Sequence, residues 1–105
     1  MYTIINDKKY NIITCDSFFS RLIGLMFKRE KISHIYFFPK CSCIHTFFMK
    51  QNIDLCIIDK NNKILFLKSN LSKNNLILKK GYSVLEMPLN TCRFLNTGDI
   101  FEFYT

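Results

Sequence analysis

The residues best suited to chemistry are concentrated in one stretch, CSCIHTFFMKQNIDLCIID at positions 41–59. It holds three cysteines, one histidine and two aspartates among apolar residues. Cysteine thiolates and neutral histidine bind soft metal ions such as Zn²⁺, and a cysteine whose pKa is lowered by a neighbour can act as a nucleophile. The same residues can also be architectural, because buried polar groups need hydrogen-bond partners wherever they lie.

A metal site in this stretch would use Cys41, Cys43 and His45, which share one face of a strand. Residues i and i+4 of a flat strand are roughly 13 Å apart, so one ion could reach all three only if the chain bent near Pro39. The sequence also lacks a second pair of cysteines at zinc-site spacing. We therefore expect no bound metal and no cofactor, and we expect the five cysteines of the chain to be reduced.

Nucleophilic catalysis would require a cysteine beside His45. If the KQN turn pairs the strands on either side of it, Thr46 faces Cys56 and Phe48 faces Asp54. His45 and Cys56 then lie on opposite faces, although a register slip of one residue would bring them together. We therefore expect no catalytic residue in this stretch.

Polar residues that interrupt apolar runs form the candidate ligand-binding site. Glu86 lies in the apolar run 83–88 and is either a solvated outer residue or a buried one with a partner. If it faces inward, it could converge with Asp54 and His45 at one mouth of a barrel, where small barrels commonly bind ligands. The alternative for the aspartates is a role in turns, where carboxylates accept backbone N–H groups. The candidate residues are His45, Thr46, Asp54 and Glu86, with Asp59 and Asp99 as additional members.

Short β-rich segments and one helix are predicted to position these residues. Asp16 or Ser17 can cap a helix over about 17–28 that places its apolar residues on one face. The short polar turns KQN and KNN predict an antiparallel meander, and LNTCRFLN at 89–96 is compatible with one helical turn. The predicted strands are 2–5, 10–15, 35–39, 43–49, 53–59, 63–68, 83–88 and 100–104.

The expected fold is a single α+β domain over residues 1–105, dominated by antiparallel strands. About eight short strands would form a small barrel-like or two-layer curved sheet, which hides strand edges, with one principal helix against it. The residues expected to be largely buried are Phe18, Leu22, Met26, Phe37, Phe47, Ile57, Leu65 and Leu85.

Charge and hydropathy narrow the class of protein. The chain starts without the basic and apolar regions of a signal peptide and has no apolar stretch of the length that a membrane span needs, so we expect a soluble cytoplasmic protein without a membrane partner. The net charge is +7. Its basic residues are scattered rather than gathered in a patch of 5–8, so we expect nucleic acid not to be the main partner.

Several segments resemble one known family in order and spacing: RLIGLM at 21–26, FPKC at 38–41, IHTFFMKQNID at 44–54, IIDKNNKI at 57–64, VLEM at 84–87 and TGDI at 97–100. Together they are similar to the DUF192 family, also called UPF0127. The resemblance implies a single small β-rich, barrel-like domain with one principal helix. It implies no particular activity, because the family is defined without one.

The functional expectation is a non-enzymatic binding or accessory domain that acts through a protein partner or a small ligand. The first alternative is a small hydrolase or metal-dependent enzyme with a His/carboxylate site at one end of the barrel. The second is a weak nucleic-acid binder that uses its scattered basic surface. Charged residues converging in a concave pocket would favour the enzyme, whereas an exposed apolar patch with a polar rim would favour a binding module.

Overall fold

The computed structural model describes residues 1–15, 32–40, 43–45, 52–72, 76–78 and 82–105, with the backbone alone for 43–45 and 76–78. The described strands are β1 Tyr2–Ile5, β2 Lys8–Thr14, β3 Ile35–Phe38, β4 Cys43–His45, β5 Ile53–Ile58, β6 Ile64–Leu71, β7 Leu76–Leu78 and β8 Ser83–Met87, followed by a 3-10 helix at Cys92–Phe94.

Six of these strands form one curled sheet in the order β1-β2-β3-β8-β5-β6, which has the shape of a half-barrel. Its strand pairs are antiparallel except β2 and β3, which run parallel. A parallel pair needs a long crossover connection, and the chain between Thr14 and Ile35 is long enough to supply one. The strands β4 and β7 form a separate antiparallel pair.

The α+β class expected from the sequence is wrong for the residues that the structure describes, because they are all-β. Within the described ranges, the one helical element is a three-residue 3-10 helix, and no helix of seven or more residues occurs. The helix predicted over 17–28 lies outside the described residues. The sheet is mixed rather than purely antiparallel, because β2 and β3 lie side by side in parallel.

The predicted meander is confirmed in its second half and wrong in its first. Strands β5 and β6 pair antiparallel across the turn at 59–63. Strand β4, however, pairs with β7 and not with β5, whose second neighbour is β8. The predicted pairing of Thr46 and Phe48 lies outside the described residues. Local turn residues indicated a hairpin here, but the apolar strand β8 is the better neighbour for β5, whose six residues are all buried.

The hairpin of β1 and β2 is confirmed and turns tightly at Asn6 and Asp7. Both residues have positive φ angles, 51° and 64°. Two successive residues with positive φ match the twist of the flanking strands in a two-residue hairpin loop, and asparagine and aspartate tolerate this conformation better than other non-glycine residues. The sequence at the turn therefore agrees with its geometry.

Strand β6 contains two irregularities that decide which of its side chains are buried. Ile58 pairs with Ile64 while the adjacent Ile57 pairs with Phe66, so Leu65 is an extra residue between two ladder pairs. A bulged residue is left out of the ladder, and Leu65 is 43% exposed. The prediction that Leu65 is buried was therefore wrong, because regular alternation does not hold across a bulge.

A segment at residues 98–104 closes the two edges of the sheet. Tyr2 and Tyr104 exchange backbone hydrogen bonds of 2.9 and 2.8 Å on the side of β1. On the side of β6, Ile64 donates to the carbonyl of Asp99 and accepts from Gly98, both at 2.8 Å. Two isolated bridges thus replace the strand predicted at 100–104. We call this the closing segment, because it covers backbone groups that edge strands otherwise leave unpaired.

Two apolar cores lie on opposite faces of the sheet, as strand alternation requires. The inner core draws on all six strands and on the closing segment, and consists of Ile5, Ile12, Ile35, Cys56, Ile58, Ile64, Leu85, Met87, Cys92 and Phe101. The outer core draws on β3, β8, β5 and β6 and their flanks, and consists of Cys15, Ile32, Tyr36, Phe38, Ile53, Leu55, Ile57, Leu71 and Val84.

The predicted burial of Ile57 and Leu85 is confirmed. Phe37 is half-buried and packs against the inner core. The remaining predicted core residues, Phe18, Leu22, Met26 and Phe47, lie outside the described residues. In the part of the chain that the structure describes, no helix has the length and apolar character needed to cross a membrane.

Candidate functional site

Asp54 is completely buried in β5, and both oxygens of its carboxylate are used by the backbone. Oδ1 accepts the N–H of Asn70 at 2.9 Å, and Oδ2 accepts the N–H of Cys92 at 2.9 Å. Asn70 has a φ of 54° and lies in the second irregularity of β6, where the ladder leaves an N–H unpaired. Asp54 therefore joins β5, β6 and the 3-10 helix.

The sequence prediction that Asp54 accepts backbone N–H groups is confirmed, although its donors lie in β6 and the 3-10 helix rather than in its own turn. Asp59 does accept from its own turn, where Oδ1 bonds the N–H groups of Asn61 at 2.8 Å and Lys63 at 3.0 Å. Asp99 is exposed, and its backbone, not its carboxylate, makes the bonds that hold its turn.

The thiols of Cys56 and Cys92 lie in the inner core and are protonated at neutral pH. The Sγ atom of Cys92 is 3.4 Å from the carbonyl oxygen of Leu55. Burial, followed by the nearby charge of Asp54, raises the pKa of Cys92 to about 12. Burial, followed by the neighbouring Cys92, raises the pKa of Cys56 further still. Because the thiolate is the nucleophilic form, these two cysteines are poor nucleophiles.

Glu86 is a buried acid in the middle of the outer face. It is 3% exposed, and its cross-strand neighbours are Tyr36 on β3 and Leu55 on β5. Burial alone raises the pKa of its carboxyl group to about 8. Of the two readings that the sequence left open, the structure selects the buried one.

The structure does not bring Asp54 and Glu86 together. Asp54 pairs with Met87, whereas Glu86 pairs with the next residue of β5, Leu55. Side chains of successive strand residues point to opposite faces, and Asp54 accordingly bonds Cys92 of the inner core while Glu86 neighbours Tyr36 of the outer core. Their convergence at a barrel mouth is therefore not formed, because the register places the sheet between them.

His45 lies in β4, where it is paired with Leu76 of β7, and its side chain is not described. Thr46 and Cys41 lie outside the described residues, and Cys43 shares β4 with His45. The ligand roles of His45, Thr46, Asp54, Glu86, Asp59 and Asp99 stay predictions. In the described ranges, no group of three or more potential ligands could hold a metal ion.

An exposed surface that the sequence did not reveal lies on the outside of the β1–β2 hairpin. We call it the hairpin face and define it by Tyr2, Ile4, Lys9, Ile13 and Tyr104. The register places Ile4 opposite Lys9 and Tyr2 opposite Asn11, with Ile13 two residues beyond Asn11 on the same side. Tyr104 joins this face by its bridge to Tyr2. The residues whose side chains point to the other face of the hairpin, such as Thr3 and Ile5, are buried.

The rings and charges of the hairpin face are arranged around Tyr2. Its ring stacks on that of Tyr104 with a centroid distance of 5.4 Å and an interplanar angle of 24°. The Nζ atom of Lys9 lies 4.5 Å from the centroid of the Tyr2 ring, which is within the range of a cation–π interaction. Ile4 and Ile13 are 51% and 41% exposed.

The hairpin face continues into the buried outer face of the sheet. Ile13 is the partner of Tyr36, and Tyr36 is the partner of Glu86. Neighbouring strands are about 4.8 Å apart. Glu86 therefore lies two strands, or roughly 10 Å, from Ile13, the exposed residue at the end of this row of paired residues. Alternation in YTII and IFEFY was the available sequence signal, but nothing local indicates that Tyr2 and Tyr104 are neighbours.

Solved structures share this fold. A protein from Sinorhizobium meliloti 1021 described as a "putative transcription regulator" superposes with a TM-score of 0.80 at 17% identity, over 96% of this chain and 89% of that one. A protein of unknown function from Novosphingobium aromaticivorans superposes with a TM-score of 0.76 at 14% identity, over 97% of this chain and 82% of that one. At such identities the likeness concerns the fold alone.

Sequence comparison identifies the family. A UPF0127 protein of Pyrococcus horikoshii is 31% identical over an alignment of 71 positions, and the match covers 59% of this chain. The match spans 62% of that relative's length. The family model of DUF192, described as "Uncharacterized ACR", matches residues 2–102. The match covers nearly the whole chain and confirms the resemblance seen in its motifs, so this protein belongs to the DUF192 family.

Proposed function

We propose that this domain is a non-enzymatic binding module and that it binds its partner through the hairpin face. The observation that carries the proposal is the exposure of neighbouring apolar and aromatic side chains, Ile4, Ile13 and Tyr104, on one side of a two-stranded hairpin. Single exposed apolar residues are ordinary, but a contiguous group rimmed by polar residues is typical of an interaction surface.

The buried polar residues support binding over catalysis. The Asp54 carboxylate is occupied by two backbone N–H groups, so it is poorly placed to act as a base. The thiols of Cys56 and Cys92 have raised pKa values and are held in the inner core. These groups have structural partners that account for their positions, whereas the hairpin face has no such internal explanation.

The S. meliloti protein, which has this fold, is described as a "putative transcription regulator". Regulators of transcription act by binding other macromolecules, and this supports a binding role for the domain.

Site-specific photo-crosslinking in living cells tests the proposal. A photo-reactive phenylalanine analogue replaces Ile13 on the hairpin face, and Leu65 serves as the matched control because it is exposed to a similar extent. We expect a discrete adduct from position 13 and none of that size from position 65. Equal labelling at both positions, or no adduct at position 13, would refute the proposal. Digestion with protease or nuclease then identifies the class of the partner.

A further inference from the structure

We infer that the ligand of the hairpin face is single-stranded nucleic acid, with a base stacked on the exposed ring of Tyr104, which Tyr2 supports, and a backbone phosphate held by Lys9. The inference rests on the proposed function, since it names the partner of the same surface. It assigns to three residues, two of them near opposite ends of the chain, a combined role that their separate positions in the sequence do not suggest.

The geometry of the two rings favours a flat ligand. Tyr2 and Tyr104 are nearly parallel, with 24° between their planes, and Tyr104 remains 40% exposed. An exposed aromatic ring supported from behind by a second ring presents a preorganised surface to a flat ligand. Bases of a single strand stack on such rings without sequence preference, because every base has a π face.

The charge beside the rings favours an anionic ligand. Lys9 lies beside Tyr2, with its Nζ atom 4.5 Å from the ring centroid. Because β2 and the closing segment lie on opposite sides of β1, a strand that stacks a base on Tyr104 and crosses Tyr2 would bring a neighbouring phosphate towards the Lys9 ammonium group. The net charge of +7 attracts a polyanion from a distance, whereas it repels a basic peptide or an organic cation.

The apolar surroundings of the rings favour a single strand over a duplex. In a duplex, base faces are stacked on one another, so side chains cannot stack on them unless bases are splayed out. The apolar side chains of Ile4 and Ile13 flank the ring pair and can contact base edges and sugars. A protein that read duplex phosphates alone would have no use for exposed isoleucines beside the rings.

Fluorescence anisotropy with labelled 12-nucleotide oligo(dT) and oligo(U) at low salt, against a duplex of equal length, tests the inference. We expect both single strands to bind more tightly than the duplex. Tyr104→Ala should weaken binding by at least about fivefold, the lower end of what one stacked base contributes, and Tyr104→Phe should bind like the wild type. Because the phenylalanine variant keeps the ring, it separates stacking from any effect on folding.

Salt dependence tests the role of Lys9. On single strands, each neutralised phosphate contributes about −0.7 to the slope of log K against log salt concentration. Lys9→Gln should therefore make the slope shallower by about 0.7, while Lys60→Gln, in the exposed turn after β5, should leave it unchanged. Glu102→Gln should strengthen binding, because it removes an exposed negative charge two residues from Tyr104.

The outcomes separate this inference from the proposed function. Failure of both oligonucleotides to bind, or equal weakening by Tyr104→Ala and Tyr104→Phe, would overturn nucleic acid as the ligand. If position 13 nevertheless gave a protease-sensitive and nuclease-resistant adduct, the hairpin face would be a protein-binding surface and the proposed function would stand. Absence of both oligonucleotide binding and any adduct would overturn the two together.

Discussion

At the scale of single residues, the two buried acids of the sheet differ in what compensates for the burial of their carboxyl groups. Asp54 on the inner side accepts two backbone N–H groups, whereas the pKa of Glu86 on the outer side is raised by burial without an opposing hydrogen bond from a described residue. A buried charge is tolerated when hydrogen bonds replace water, and otherwise the group shifts its pKa and becomes neutral. The two residues therefore respond differently to mutation.

Removing the Asp54 carboxylate should destabilise the fold strongly. Asp54→Ala leaves the N–H groups of Asn70 and Cys92 without acceptors in a buried place, and a charge-assisted hydrogen bond contributes about 1.5–3 kcal/mol. We expect the free energy of unfolding to fall by about 3–5 kcal/mol, as measured by urea denaturation. The control is Asp59→Ala, whose carboxylate caps a more exposed turn and whose loss should cost about 1 kcal/mol. Equal effects of the two substitutions would contradict this assignment.

Glu86 should make the protein less stable as pH rises. Its pKa is raised from 4.5 to about 8 in the folded state, so between these values the folded chain holds a proton that the unfolded chain has released. The contribution to stability is complete below about pH 4.5 and is lost as pH rises through about 8, at up to about 1.4 kcal/mol per pH unit.

The measurement is the free energy of unfolding from pH 5 to pH 9 for the wild type and for Glu86→Gln. The glutamine variant should lack this decline and should be the more stable protein at pH 8. Glu102→Gln is the matched control, because Glu102 is exposed, and it should follow the wild-type profile. Parallel pH profiles for the wild type and Glu86→Gln would show that Glu86 ionises normally.

The buried thiols should be unreactive in the native protein. Cys15, Cys56 and Cys92 are buried, and the pKa of Cys92 is raised to about 12, so little thiolate forms at pH 8. Titration with a disulfide reagent should detect at most two thiols per native chain and five after denaturation. Rapid reaction of Cys92 in the native protein, located by mass spectrometry, would contradict this prediction and would indicate a nucleophilic cysteine.

At the scale of elements, the half-barrel depends on devices that complete its edges. The closing segment bonds to both edge strands, and a turn with Gly98 at a φ of 94° directs it back to Ile64. The irregularities of β6 expose Leu65 and leave an N–H for Asp54. Neither the closing segment nor the irregularities of β6 belong to a regular strand or helix, yet together they set the boundary of the inner core.

Gly98 should be sensitive to substitution for a reason confined to its backbone. An added Cβ would meet no atom within 4 Å, but the φ of 94° is strained for any side chain. Left-handed conformations cost roughly 1–2 kcal/mol for an L-residue, so Gly98→Ala should lower the melting temperature by about 4–16 °C at 4–8 °C per kcal/mol. Thr97→Ala, at the exposed neighbouring position, is the control and should change it little. A neutral Gly98→Ala would show that the turn can relax.

At the scale of the whole molecule, the two faces of the six-stranded sheet differ in how much of each is exposed. The inner face is enclosed by six strands and the closing segment. The outer face is buried over β3, β8 and β5, half-buried to exposed over most of β6, and exposed over the hairpin. The chain has a net charge of +7 and no long basic run. The proposed site for a polyanion, Tyr104 with Lys9, lies on the exposed part of the outer face.

The sequence by itself determined what depends on neighbours along the chain. The hairpin at Asn6 and Asp7, the antiparallel pairing of β5 with β6, the turn role of Asp59 and the helical turn at 92–94 all follow from local turn chemistry and alternation. The burial of Ile57 and Leu85 follows from their place in apolar runs. The sequence motifs also predicted the family correctly, since the DUF192 family model matches the chain.

Only the tertiary structure decided what depends on residues far apart in sequence. It set β8 between β3 and β5, aligned β2 parallel with β3, and thereby put Asp54 and Glu86 on opposite faces. It also joined Tyr2 to Tyr104. Strand order and register are chosen by the burial achieved over the whole sheet, and a shift of one residue reverses every side chain, so no local pattern specifies them.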